Sequence, residues 1–182
     1  MMRPAVFFDR DGTLMREVGY CSNPRDVAVL DGAREAVRWL RGAGFAIVVV
    51  TNQSGIGRGF YTDDDYQAVH AEFLRRLGEP VDATYYAPEH PDVEPSRRKP
   101  SPAMLLEAAE ALGIDLRESF MIGDREGDIE AGHNAGCQSI LVLSGITEAS
   151  QTTAAEFVCR DAGEAARWIL DQCEARKAAS LA

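Results

Sequence analysis

The sequence predicts a doubly wound, Rossmann-like α/β fold with a mostly parallel sheet, and three observations carry that expectation. Five apolar runs of strand length recur: AVFF at 5–8, AIVVV at 46–50, ATYYA at 83–87, SFMI at 119–122 and SILVL at 139–143. Segments of helical character separate them, and short apolar runs in that arrangement argue for parallel strands covered on both faces. Polar residues follow four of the five runs, and open α/β sheets bind ligands outside the carboxyl ends of their strands.

Each intervening helix has start and stop signals. AREAVRWLRGAG (33–44) places Ala36, Val37 and Leu40 at helical spacing and ends at glycine. TDDDYQAVHAEFLRRLG (62–78) opens on a threonine cap with an acidic first turn and also ends at glycine. A third helix runs from about Ser101, with Pro102 in its first turn, to Leu112 before Gly113. A fourth starts near Gly127, and a fifth covers about Ala162 to Ala175.

The chain has 182 residues, which suits one domain over 1–182 with a sizeable core. No apolar run approaches the roughly 18 residues of a bilayer span, and the start MMRPAVFFDRDG turns acidic too soon for a signal peptide. The expected setting is the cytoplasm, and four cysteines without a CxxC pair suit a reducing compartment. A net charge of -10 repels nucleic acid on average. The expected partner is therefore a small molecule met by a few local arginines, with no nucleic acid, no membrane and a monomeric chain.

On a parallel sheet the strand ends converge. The first delivers Asp9 and Asp11, the second Thr51, Asn52, Gln53 and Ser54, the loop after the third Arg97, Arg98 and Lys99, and the fourth Asp124 and Asp128. Asp9 and Asp124 offer hard anionic oxygens that suit Mg²⁺. Thr51 and Lys99 can meet the charge on a phosphoryl group. An aspartate in that place can act as a nucleophile, and a second one two residues on can move the leaving-group proton. Asp9 and Asp11 fit these roles.

DRDGTL, TNQSG, RRKPSP and GDREGDI, in this order, resemble the four motifs of the haloacid dehalogenase superfamily of phosphatases. FFDRDGTL, VGY at 18–20, TNQSGIGRGFYT at 51–62 and RKPSP at 98–102 are most similar to its heptose bisphosphate phosphatase and histidinol-phosphatase branch, which lacks a large cap domain. The resemblance implies an Mg²⁺-dependent phosphatase acting through an aspartyl-phosphate. Its substrate would be a small sugar phosphate, the 7-phosphate of D-glycero-D-manno-heptose 1,7-bisphosphate, with histidinol phosphate as the alternative.

It also implies roles. Asp9 is the nucleophile and Asp11 the general acid/base, with Thr51 and Lys99 completing the catalytic group. Asp9, the backbone carbonyl of Asp11 and Asp124 hold the metal. Substrate contacts fall on Asp9, Arg10 and Asp11, on Glu17, Val18, Gly19 and Tyr20, on Thr51, Asn52, Gln53 and Ser54, and on Arg98, Lys99 and Arg125.

One departure stands out. Many members carry a structural zinc in the pattern C-P-H…C-x-C-R-K-P, where this chain reads APEHPDVEPSRRKP. Ala87, Glu89, Pro95 and Arg97 occupy the ligand positions, so no zinc is expected.

Other features invite plainer explanations. GIGRG lacks the third glycine of a dinucleotide fingerprint and is expected to be a flexible substrate loop. The aspartates at 63–65 suit a helix start, and Asp128 suits a cap or a partner for Lys99. His70, His133, Trp39 and Trp168 are expected to pack rather than to bind ligands. A non-catalytic phosphometabolite-binding domain would have lost the nucleophile, acid or lysine, and none of Asp9, Asp11, Lys99 or Asp124 is missing.

Overall fold

The computed structural model describes residues 2–94, 96–145 and 153–180. Six parallel strands form one sheet: β1 (Ala5–Phe8), β2 (Ala46–Asn52), β3 (Ala83–Ala87), β4 (Phe120–Gly123), β5 (Gln138–Val142) and β6 (Phe157–Cys159). Their order is β3-β2-β1-β4-β5-β6. The chain winds outward from β1 to β3 and returns to β4 on the other side of β1. The crevice where the order reverses therefore lies between the carboxyl ends of β1 and β4.

The helices are α1 (Ala33–Gly42), the single turn α2 (Ser54–Gly57), α3 (Asp63–Leu77), α4 (Ala103–Leu112), α5 (Glu126–Ala135) and α6 (Ala162–Ser180). Side chains alternate across the strands. Val6 and Phe8 face the core shared with α1, α3 and α6, while Ala5 and Phe7 face the one shared with α4 and α5. Burial on both faces explains the unbroken apolar runs.

Register fixes the site. Val6 pairs with both Ile47 and Phe120, and the Asp9 amide continues the ladder by donating to the Ile122 carbonyl at 2.9 Å. β1 thus holds its first polar residue level with the ends of its neighbours. The α3 cap forms as expected, with Thr62 and Asp65 exchanging bonds in a capping box. Residues 9–32 and 88–102 are long connections at this edge of the sheet, and neither carries an inserted cap domain.

Three details differ from the sequence expectation. β6 is a sixth strand, three residues long and half-exposed, too short to announce itself by pattern. α6 runs five residues further, to Ser180. The GIGRG segment opens with a helical turn rather than an open loop. A Cβ on Gly55 would lie 2.1 Å from the Tyr61 ring, and one on Gly57 would lie 2.3 Å from the His90 amide nitrogen. Glycine is required there for close packing rather than for mobility.

Candidate active site

Lys99 occupies the centre of the crevice. Its ammonium donates to Asp9 Oδ1 at 2.6 Å and to the Val50 carbonyl at 2.8 Å, and it pairs with Asp128 Oδ1 at 2.6 Å. Three acceptors satisfy its three protons. Burial alone would lower the Lys99 pKa, but the carboxylates of Asp128 and Asp9 outweigh it and hold it well above the ordinary lysine value. Burial likewise pushes the Asp9 carboxyl well up; Lys99 opposes this, and Asp128, Asp124 and Asp11 reinforce it.

The lysine is placed by its backbone. Asn52, at the end of β2, accepts from the Lys99 amide at 3.0 Å and donates to the Lys99 carbonyl at 3.1 Å. The pair ties the loop after β3 to the neighbouring strand. Asp128 does two things at once, as its position in the first turn of α5 permits. Its Oδ2 accepts from the Arg125 amide at 3.1 Å as a helix cap, and its Oδ1 holds Lys99.

Asp124 is fully buried at the end of β4, and the chain closes tightly around it. A Cβ on Gly12, which has φ of 89°, would lie 2.3 Å from Asp124 Oδ2, and one on Gly145 would lie 1.9 Å from it. Asp9, Asp124 and Asp128 bring carboxylate oxygens within 4.8 Å of one another. Three buried carboxyl groups meet beside one buried ammonium, and hard oxygen donors in that number fit Mg²⁺. The Asp11 carboxylate is not among them and turns the other way.

Asp11 Oδ2 accepts from Arg10 Nε at 3.1 Å, from Gln53 Nε2 at 2.9 Å and from the Thr51 hydroxyl at 3.4 Å. Its Oδ1 accepts from Arg10 Nη2 at 3.2 Å. Arg10 itself is fully buried, with its guanidinium 5.3 Å from the centre of the Tyr66 ring. Strand alternation does send it away from the pocket, and its side chain supports Asp11 instead of reaching the space above the floor.

That space is a cavity of about 280 Å³. Asp9, Asp11 and Lys99 line its floor, Thr51, Asn52, Gln53 and Ser54 one wall, and Glu17, Gly19, Tyr20, Arg98 and Arg125 its rim. Arg10, Val18 and Asp124 do not line it. Val18 is exposed, and Arg10 and Asp124 lie beneath the surface. Arg98 Nη1 is buried with no hydrogen-bond acceptor among the described residues, which suits an anion. Burial, with Arg58 nearby, lowers the Arg98 pKa. Tyr20 carries a positive φ of 47° and meets Phe60 edge-on, their ring centres 4.7 Å apart.

Two residues line the cavity that the sequence did not single out, Cys21 and Tyr61, and Asp128, expected as a cap or a partner for Lys99, lines it as well. A tyrosine just before a helix cap reads as packing, and a cysteine without a partner carries no spacing signal.

The comparisons with known proteins are consistent with this geometry. A HAD-hydrolase-like family model matches residues 96–165. The D-glycero-D-manno-heptose-1,7-bisphosphate 7-phosphatase of Thermosynechococcus vestitus is 36% identical, over 93% of this chain and 96% of its own. The D-glycero-beta-D-manno-heptose-1,7-bisphosphate 7-phosphatase of Escherichia coli is 37% identical, over 92% of this chain and 88% of its own. The chain belongs to this phosphatase family. It is a phosphoric monoester hydrolase. The D,D-heptose 1,7-bisphosphate phosphatase of B. bronchiseptica, crystallised with magnesium and phosphate, superposes with a TM-score of 0.83 at 29% identity, over 93% of this chain and 99% of that one.

The loop after β3 is held by contacts to its own strand and to α4. Ala87 is buried at the strand end. Arg97 forms a two-pronged pair with Glu107 of α4 at 2.8 and 2.5 Å and donates to the Tyr86 carbonyl at 3.3 Å. Glu89 lies close enough to raise the pKa of Arg97, a smaller effect than that of Glu107. Pro95 lies outside the described residues. His70 packs in the core against Tyr66 and contacts the Thr84 hydroxyl at 3.0 Å, and His133 pairs with Glu156 at 3.0 Å. No described helix is long and apolar enough to cross a membrane.

Proposed function

We propose that this chain is an Mg²⁺-dependent phosphatase that removes the 7-phosphate of D-glycero-D-manno-heptose 1,7-bisphosphate and leaves the heptose 1-phosphate. The observation that carries the reading is Lys99 held between Asp9 and Asp128, beside Asp124, on the floor of a cavity rimmed by Arg98 and Arg125. The substrate comes from the full-length relatives that bear that name.

Asp9, the Asp11 carbonyl and Asp124 would hold Mg²⁺, which supplies the positive charge that lets a phosphate dianion approach a carboxylate. Asp9 attacks phosphorus, and the bond from phosphorus to the sugar oxygen breaks. Asp11 gives its proton to that departing oxygen. In the second half a water attacks the aspartyl-phosphate, Asp11 takes the water's proton, and inorganic phosphate leaves with Asp9 restored. Lys99 stabilises the phosphoryl oxygens through its charge, and the Thr51 hydroxyl does so by turning from its long 3.4 Å contact with Asp11 Oδ2, while Gln53 donates to Thr51 Oγ1 at 2.8 Å and keeps that hydroxyl a donor.

Arg98 and Arg125 meet the remainder of the substrate. No structural zinc is proposed, because an alanine, a glutamate and an arginine stand at three of its ligand positions. The proposed setting is the cytoplasm, where the product would feed synthesis of a nucleotide-activated heptose for lipopolysaccharide. The test is ³¹P NMR of the bisphosphate with enzyme and Mg²⁺, run beside kcat/KM for histidinol phosphate. The expected result is loss of the 7-phosphate signal, retention of the 1-phosphate, and a lower kcat/KM on histidinol phosphate. Preferential loss of the anomeric phosphate, or a higher kcat/KM on histidinol phosphate, overturns the substrate assignment.

A further inference from the structure

We propose that Tyr61 is a positioning residue for the proton transfer: through Gln53 it holds the Asp11 carboxylate in the orientation that serves the leaving group. The inference rests on the reading of Asp11 as the general acid.

The chemistry of the donors sets the direction of the chain. Asp11, when ionised, only accepts, so the Gln53 group 2.9 Å from it must be the amide nitrogen. That nitrogen's other proton goes to Thr51 Oγ1 at 2.8 Å. The Gln53 carbonyl oxygen therefore faces the Tyr61 hydroxyl at 2.7 Å, and the hydroxyl must donate. Burial pushes the Tyr61 phenol up to about 12, so that proton stays in place. Both of Gln53's amide protons and one lone pair of its carbonyl oxygen are used inside the protein. Its side chain serves as support for Asp11 and Thr51, in contrast to the substrate contact that the sequence motif implies.

The consequence falls on Asp11. Oδ2 takes Gln53, Arg10 Nε and the Thr51 hydroxyl and lies 2.9 Å from Arg10 Nη2, while Oδ1 has, among the described residues, only the longer Arg10 Nη2 contact at 3.2 Å. The less occupied Oδ1 is the oxygen with room for a proton. Without the Tyr61 hydroxyl, the Gln53 amide loses the partner that holds it in this orientation, and Asp11 keeps its Arg10 fork but loses the neutral donor that fixes Oδ2 from the Gln53 side. Tyr61 is itself placed by close packing on Gly55, where no Cβ fits.

The test separates a leaving group that needs a proton from one that does not. In Y61F, kcat/KM for a sugar phosphate, whose alkoxide must be protonated as it leaves, is expected to fall about tenfold. For p-nitrophenyl phosphate, whose phenolate leaves unprotonated, it is expected to stay within about twofold. Q53M should show the same selectivity on top of a loss common to both substrates, because Gln53 also holds the Thr51 hydroxyl, and Y61F combined with Q53M should be no worse than Q53M alone. Equal losses on both substrates, or no loss in Y61F, overturn the proposal. D11N separates this from the underlying reading when kcat/KM is measured, because that ratio excludes the hydrolysis half in which Asp11 serves both substrates: if D11N lowers kcat/KM alike for both, the acid role of Asp11 falls and the inference with it. If D11N is selective and Y61F is not, Tyr61 alone is misassigned.

Discussion

The floor and the rim of the cavity are built in opposite ways. On the floor, Lys99 has 2% of its side chain exposed and sits between two carboxylates, each at 2.6 Å. On the rim, Tyr20 is 48% exposed, and Arg125 reaches Glu17 at 3.1 Å with more than half its side chain in water. A buried charge persists only when its partners are all present, because removing one strands the other away from water. An exposed pair gains little and loses little. The floor is therefore committed to one chemistry, phosphoryl transfer, while the rim can change without unfolding the site. We propose that substrate choice belongs to the rim.

The sharpest way to break this contrast is D128N. It keeps the size of the side chain but leaves Lys99 with one carboxylate and weakens the cap of α5. Stability is expected to drop by about 3 kcal/mol and kcat by about a hundredfold, read from urea unfolding and phosphate release. A loss of under 1 kcal/mol would mean that the floor is not electrostatically committed.

The layer behind the floor is expected to be acid-sensitive. Burial, with Arg10 adding to it, lowers the His70 pKa from 6.5 to about 4. The unfolded chain takes up a proton below about 6.5, and the native state does not do so until near 4. The unfolded state thus binds more protons, and this contribution to stability is whole above 6.5 and lost as pH falls toward 4. Between pH 7 and pH 5 the wild type should lose about 2 kcal/mol more than H70Q does. Identical pH profiles by urea unfolding would remove His70 from the account.

The smallest effect is expected at the rim. R98A should raise KM for the bisphosphate about tenfold while leaving kcat within about threefold and stability nearly unchanged. A fall in kcat with unchanged KM would place Arg98 on the floor instead.

The central strands and the floor were largely legible in the sequence, because both are written in local patterns. Unbroken apolar runs mark buried parallel strands, and Asp9, Asp11, Thr51, Lys99 and Asp124 each follow such a run or sit in a motif. What could not be read depends on pairings between distant residues. Nothing near Arg10 says that the face of Tyr66 waits for it, so an arginine between two site aspartates looked like a substrate contact. Nothing near Gln53 says that Tyr61 fixes its amide. Arg97 was ambiguous until Glu107 was found ten residues on, one side of the loop clamped to α4. β6 escaped because three residues at an edge carry too little periodicity.

The most direct test of the account is to trap the phosphoryl group in transit. Borohydride added to the enzyme turning over substrate with Mg²⁺ reduces an aspartyl-phosphate to homoserine, which mass spectrometry of the peptide containing VFFDRDGTL can locate. The expected result is conversion at Asp9 alone, absent in D9N, with retention of Asp11. Conversion at Asp11, Asp124 or Asp128, or unimpaired phosphate release by D9N, would contradict it.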